Sequence, residues 1–286
     1  MSIVFDDRVC ALGEGPLWHP ERQQLFWFDI LGKRLLTRDG ADVMEWHFDE
    51  HVSAAGWVDR DALLMASGTG LWKFTISTGA RVLVCPLEAN NPVTRSNDGR
   101  ADPWGGFWIG TMGKNAEPDA GAIYRYFNGE LRKMFADITI SNAISFSPDK
   151  SCAYFCDTVT GCVMKQALEA ASGWPEGNAE KFLDLSPEGL NPDGAVVDVD
   201  GTLWVAQWGA SRVAAYDKTG RFQRAISFPA EQISCPAFGG EDCSTLFCTS
   251  AAVGLSTHTK HEEPRNGMTF ATKISFSGQA EHKVIL

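Results

Sequence analysis

The chain has 286 residues, with 36 acidic against 25 basic side chains and a formal net charge of −11. Its 44% hydrophobic and 21% charged content suits a folded protein with a substantial core, and no apolar run approaches the ~20 residues of a membrane-spanning helix. No Lys/Arg cluster offsets the acidity, so nucleic acid and membrane are not expected partners, whereas a cation would be attracted.

The opening MSIVFDDRVCALGEG is not a secretory leader, because Asp6, Asp7 and Arg8 interrupt it at once. The eight cysteines include no CxxC pair and several lie among apolar strand residues, which reads as buried free thiols in a cytoplasmic protein.

One plan then recurs six times: an apolar strand, a polar turn, an aromatic-rich strand, a second turn and a third strand. The copies begin near Glu14 (EGPLWHPERQQLFWFDI), Ser53 (SAAGWVDRDALLMASG), Asn97 (NDGRADPWGGFWIGTM), Asn142 (NAISFSPDKSCAYFCDT), Asp193 (DGAVVDVDGTLWVAQW) and Cys235 (CPAFGGEDCSTLFCTS). Their spacing of about 40 to 50 residues is that of a propeller blade. Within each copy the second strand ends 14 or 15 positions after the start, at Asp29, Ser67, Thr111, Asp157, Gln207 and Thr249. Two strands joined by a tight turn give so constant an offset, and His19-Pro20, Ser147-Pro148-Asp149 and Asp200-Gly201 supply the turn residues.

Third strands are expected at Lys33–Thr37, Leu71–Ile76, Ala122–Phe127, Val163–Ala167, Arg212–Tyr216 and Met268–Ile274. Outer strands follow at Val43–Phe48, Arg81–Leu87, Leu131–Ala136, Lys181–Leu185 and Phe222–Phe228. Blade six has no outer strand of its own. Ile3–Leu12 is the preferred candidate over His282–Leu286, because an N-terminal strand in the last blade closes the ring and removes an open sheet edge. Lys165–Ala171 looks weakly helical. The expected architecture is all-β: a single six-bladed β-propeller over residues 1–286, with four-stranded antiparallel blades.

The first strand of each blade lines the central channel, so the repeat starts form a ring: Glu14, Ser53, Asn97, Asn142, Asp193 and Cys235. Two carboxylates and two carboxamides converge there, where unpaired carboxylates would repel each other or hold a proton. A divalent metal resolves the conflict. Hard oxygen donors suit calcium, magnesium or manganese better than structural zinc, with zinc in an open site as an alternative. Singly, each residue also fits a turn or a strand end. Their equivalence across the repeats is what favours a site. The six histidines (His19, His47, His51, His258, His261, His282) show no metal spacing, Ser53, Ser141 and Ser234 lack a nucleophile-elbow setting, and no glycine-rich loop suits a nucleotide. The ten tryptophans read as packing between blades.

GEGPLWHP, RSNDGRADPWGGFWIGTM, ISNAISFSPD and NPDGAVVDVDGTLWVAQW, in this order along nearly the whole chain, resemble the gluconolactonase/regucalcin family of sugar lactonases. The resemblance implies hydrolysis of an aldonolactone to its aldonic acid, with one divalent metal (calcium first; zinc, manganese or magnesium otherwise) on Glu14, Asn142 and Asp193. It implies substrate contacts from Arg95 and Asn97, with Asp98 bracing their loop. An acidic substrate contact of some relatives falls near Asn115, where this chain has Gly113-Lys114-Asn115, which makes Lys114 and Asn115 the candidates for choosing the sugar. Asp193 is the expected general base. The expected partner is a small sugar lactone, and the chain a monomer or weak homo-oligomer. The competing readings are a phosphotriesterase-like propeller hydrolase and a non-enzymatic calcium-binding regulator.

Overall fold

The computed structural model describes residues 2–256 and 265–286. It contains six four-stranded antiparallel sheets arranged as a six-bladed β-propeller. The innermost strands are Gly13–His19, Val52–Asp59, Thr94–Ala101, Ser141–Phe146, Asn191–Val197 and Gln232–Gly239. Ile3–Asp6 pairs antiparallel with Thr269–Lys273 and is the outer strand of the sixth blade, so the N-terminal strand closes the ring as expected. His258 and His261 lie outside the described residues.

The constant offset seen in the sequence is the register of the first hairpin. Gly13 opposes Asp29, Val52 opposes Ser67, Ser96 opposes Thr111, Ser141 opposes Asp157 and Pro192 opposes Gln207. Immediately afterwards, every inner strand carries one extra residue relative to its partner. These bulges fall between Glu14 and Leu17, Val52 and Ala54, Ser96 and Gly99, Asn142 and Ser145, Pro192 and Ala195, and Ile233 and Pro236. A bulge bends the strand and re-aims its side chains, and these six fall at the ring residues. Gly15, at φ +52°, takes the left-handed turn this needs in blade one, and a side chain there would strike the Ser53 carbonyl of the next blade.

Packing follows the repeat. Six hydrophobic clusters are found among the described residues, one per seam between neighbouring blades. Trp27, Trp108 and Trp204, from the second strands of blades one, three and five, are fully buried in them. The expected helical character of Lys165–Ala171 is not found. Cys162–Ala167 is a strand, with Lys165 opposite Tyr154 and Ala167 opposite Cys152. Pairing on both edges overrides the weak local preference. Only the single 3-10 turns Thr158–Thr160 and Ser186–Glu188 are helical among the described residues.

The inner strands run from one mouth of the channel to the other, and residues 277–286 cross the mouth where they end. The Gly278 N–H donates to Cys243 O of blade six, and the Gln279 amide donates to Val197 O of blade five and Phe146 O of blade four. Glu281 pairs with Arg100 of blade three, and its carbonyl accepts from the Trp57 indole of blade two. Val284 is buried in the seam between blades two and three. A cavity of only about 30 Å³ remains beneath this strap, room for a water or two. Both partners of the Arg100–Glu281 pair are nearly buried, so removing one leaves the other uncompensated. Glu281→Ala should therefore cost about 3 kcal/mol of stability, read as a lower urea midpoint, and Glu281→Gln should recover part of it; an unchanged midpoint in the alanine variant would show that the strap does not secure the ring.

Candidate active site

The opposite mouth opens into a cavity of about 310 Å³. Its floor is formed by Glu14, Asn97, Asn142 and Asp193 from the bulges of blades one, three, four and five. Above them stand Leu12, Arg95, Ile140 and Asn191, each two residues before the floor residue of its blade. Alternation along a strand returns every second side chain to the same face, which accounts for this second tier. Met112, Thr158 and Trp208, each one residue after the repeat positions Thr111, Asp157 and Gln207, complete the wall, and Val253 contributes from blade six. These wall residues were not singled out from the sequence, although the same repeat register places them.

The remaining ring positions are closed off. The Ser53 hydroxyl donates to Ser96 Oγ at 2.8 Å, and the Cys235 side chain packs against Gly194, where any added carbon would collide with it. Ser234 Oγ donates to Gly13 O at 2.5 Å, tying blade six to blade one.

A continuous chain of hydrogen bonds connects three blades along the floor. Arg95 Nη1 donates to Asn97 Oδ1 at 2.7 Å, Asn97 Nδ2 donates to Asn142 Oδ1 at 3.1 Å, Asn142 Nδ2 donates to Thr158 Oγ1 at 2.9 Å, and Thr158 Oγ1 donates to Pro192 O at 2.8 Å. Pro192 precedes Asp193, so the chain ends on the backbone carbonyl next to the second carboxylate. Asp98 braces the neighbouring blade: its Oδ2 accepts the Ile144 N–H at 2.7 Å, while Arg100 Nε donates to the Ile144 carbonyl at 3.2 Å. Blade three thus holds both backbone groups of Ile144, two residues beyond Asn142.

The electrostatics are dominated by buried negative charge. Burial and then the charge of Asp98 push Glu14 up to about 8, against a hydrogen bond from the Gly15 N–H and the attraction of Arg95. Asp193 is raised well above the ordinary carboxylate range by burial, then by Glu14 and Asp98, with the Gly194 N–H opposing. Asp98 is raised to about 6 by burial, partly offset by Arg100. Burial also lowers Arg95 to about 10, leaving it a cation at neutral pH, and its Nε is buried without a partner.

Two carboxylates with so few compensating donors fit a bound cation. The donors are hard oxygens, suited to an alkaline-earth or similar ion. Among the described residues no group of three His, Cys, Asp or Glu side chains forms such a cage; the other oxygen-bearing side chains lining this cavity are Asn97, Asn142, Asn191 and Thr158. Lys114 and Asn115 do not line the cavity. Lys114 Nζ donates to Pro92 O at 2.7 Å and Asn115 binds Glu117, both on the exposed loop after Phe107–Gly113. Their backbone path directs both side chains to loop partners.

Residues 12–252 match the SMP-30/gluconolactonase/LRE-like region. The chain is 36% identical to the L-arabinolactonase of Azospirillum brasilense over 98% of its own length and 94% of the relative's. It is 33% identical to the 6-deoxy-6-sulfogluconolactonase of Pseudomonas putida, over 95% of this chain and 94% of that one. Among solved structures, the calcium-binding protein regucalcin from Agrobacterium tumefaciens strain C58 superimposes with a TM-score of 0.97 at 38% identity, covering 99% of this chain and 97% of the other. On this combined match in sequence and fold, the chain belongs to the SMP-30/gluconolactonase family.

Proposed function

We propose that this protein hydrolyses a sugar lactone to its aldonic acid, in the cavity floored by Glu14, Asn97, Asn142 and Asp193. The observation that carries the reading is a pair of buried carboxylates and an amide oxygen, brought from three blades to one monosaccharide-sized cavity that also contains a buried arginine. The lactonases among its relatives support the reaction class. Glu14, Asn142 and Asp193 would hold one divalent cation, calcium being favoured by the all-oxygen donor set. When bound, such an ion supplies Lewis acidity and keeps both carboxylates ionised.

Asp193 is the general base. Its carboxylate takes a proton from the attacking water as the water oxygen bonds to the lactone carbonyl carbon. It returns that proton to the ring oxygen when the acyl–oxygen bond breaks, leaving a hydroxy acid. Arg95 orients the substrate and attracts the carboxylate that ring opening creates. Asn97 sets both Arg95 and Asn142, since its amide binds each of them. Lys114 and Asn115 act, on this reading, only if the sugar reaches the loop above the cavity.

Asp193→Asn should reduce lactone turnover by about 1,000-fold or more without loss of the β fold, as read by a pH-indicator assay beside circular dichroism. Near-normal turnover would remove Asp193 from this role. Metal stripping should abolish activity and calcium should restore it; stripped protein at full rate would contradict the cation.

The stripped protein should also have an inverted pH response. A carboxyl group whose folded pKa is raised stabilises the fold below its unfolded pKa and loses that contribution as pH rises through the folded value. Glu14 moves from 4.5 to about 8 and Asp98 from 3.8 to about 6, so stability should fall between about pH 4 and pH 8. Thermal melts in chelator should show a lower Tm at pH 8.5 than at pH 5.5, with calcium removing the difference; a Tm that rises over this interval in chelator would refute the assignment of strain to these carboxylates.

A further inference from the structure

We infer that the C-terminal strap at the far mouth sets the cation affinity of the floor: Asp98, and Glu281 acting through Arg100, are positioning residues for Asn142. The inference rests on the cation reading above, in which Glu14, Asn142 and Asp193 share one ion. It starts from the backbone beside those three residues. Blades one and five follow the floor carboxylate with glycine, Gly15 and Gly194, whereas blade four follows Asn142 with Ala143. Gly15 has φ +52° and Ala143 has φ +59°, so blade four makes with a Cβ the left-handed turn that blade one makes without one. That conformation is unfavourable for alanine and persists only where the surroundings impose it.

Blade three and the strap impose it. Ala143 and Ile144 fall in the bulge between the paired positions Asn142–Cys156 and Ser145–Tyr154. The Ile144 N–H, bonded to Asp98 Oδ2 at 2.7 Å, fixes the peptide plane that joins it to Ala143. The Ile144 carbonyl, accepting from Arg100 Nε at 3.2 Å, fixes the next plane. Arg100 is held in turn by Glu281, the one carboxylate paired with it among the described residues. The strap also reaches the end of the same inner strand, where the Gln279 amide donates to Phe146 O at 3.0 Å. A continuous path therefore runs from Glu281 through Arg100, Ile144 and Ala143 to Asn142.

Without that grip Ala143 is free to return to negative φ, and the change of dihedral turns the neighbouring Asn142 away from its place in the floor. Partners that orient a metal ligand typically govern about 10- to 100-fold in metal affinity. The charge of Arg100 gives the effect a diagnostic sign. A buried cation near the floor opposes a second one, so its field alone predicts tighter cation binding when it is removed. Weaker binding runs against that field and reports lost positioning.

The test is calcium binding to the chelator-stripped protein, read by titration calorimetry beside a thermal melt in chelator. Arg100→Gln combined with Glu281→Gln removes both charges of the pair together and should raise the calcium Kd about tenfold. Glu281→Gln alone, which keeps Arg100, should raise it about fivefold and serves if the double variant does not fold. In an Ala143→Gly background the same substitutions should change the Kd by less than about twofold, because glycine takes the left-handed turn unaided. An unchanged or lower Kd beside a lowered melt would make the strap a structural brace alone and overturn the inference, as would a loss of affinity that persists in the glycine background. Either result leaves the lactonase reading intact. No calcium binding by the unsubstituted protein would overturn the cation reading and this inference together.

Discussion

Two carboxylates buried in one channel repel each other, and the molecule has to keep them together against that force. Neither Glu14 nor Asp193 is neutralised by a direct ion pair: Glu14 has the Gly15 N–H and the field of Arg95, and Asp193 has only the Gly194 N–H to offset its burial. Only a scaffold that resists spreading can maintain such an arrangement. Here the resistance comes from six seams of apolar packing, from the N-terminal strand that completes the last blade, and from hydrogen bonds that pass between blades at the channel wall. Divided among so many contacts, the repulsion is small at each of them.

The same concentration of charge explains why blade three is so polar. Arg95, Asn97, Asp98 and Arg100 are close to one another on one inner strand, and all are nearly or largely buried. Their side chains divide the work by direction: Arg95 and Asn97 face the cavity, while Asp98 and Arg100 grip blade four, and Arg100 reaches on to the strap. A motif that reads as one loop signature in the sequence is thus two devices, one facing the cavity and one fastening the neighbouring blade.

Much of this was legible before any coordinates. The six repeats and the offset of 14 or 15 residues determine the hairpin register, and register determines which residues share a depth in the channel. Glu14, Asn97, Asn142 and Asp193 were therefore readable as one ring. The bulges were not, because an extra residue in one strand leaves no mark in a pattern of apolar positions. Nor was the strap, since Gln279 and Glu281 make their contacts across sequence separations of 82 to 224 residues. Lys114 and Asn115 follow the second strand by only a few residues, yet the loop turns them to Pro92 and Glu117. The weak helical tendency near Lys165 yields to strand pairing for a similar reason: local preference is small beside two edges of backbone hydrogen bonds.

The strap across the far mouth makes the channel a blind well. A propeller pore open at both ends would let a reactant enter on one side and depart on the other. Here residues 277–286 leave a cavity of only about 30 Å³ at that end. Everything that reaches Asp193 must leave by the way it came, past Trp208 and Val253. On the lactonase reading, incoming lactone and newly formed acid share that single mouth and the same floor residues, so the acid would compete with the lactone for them.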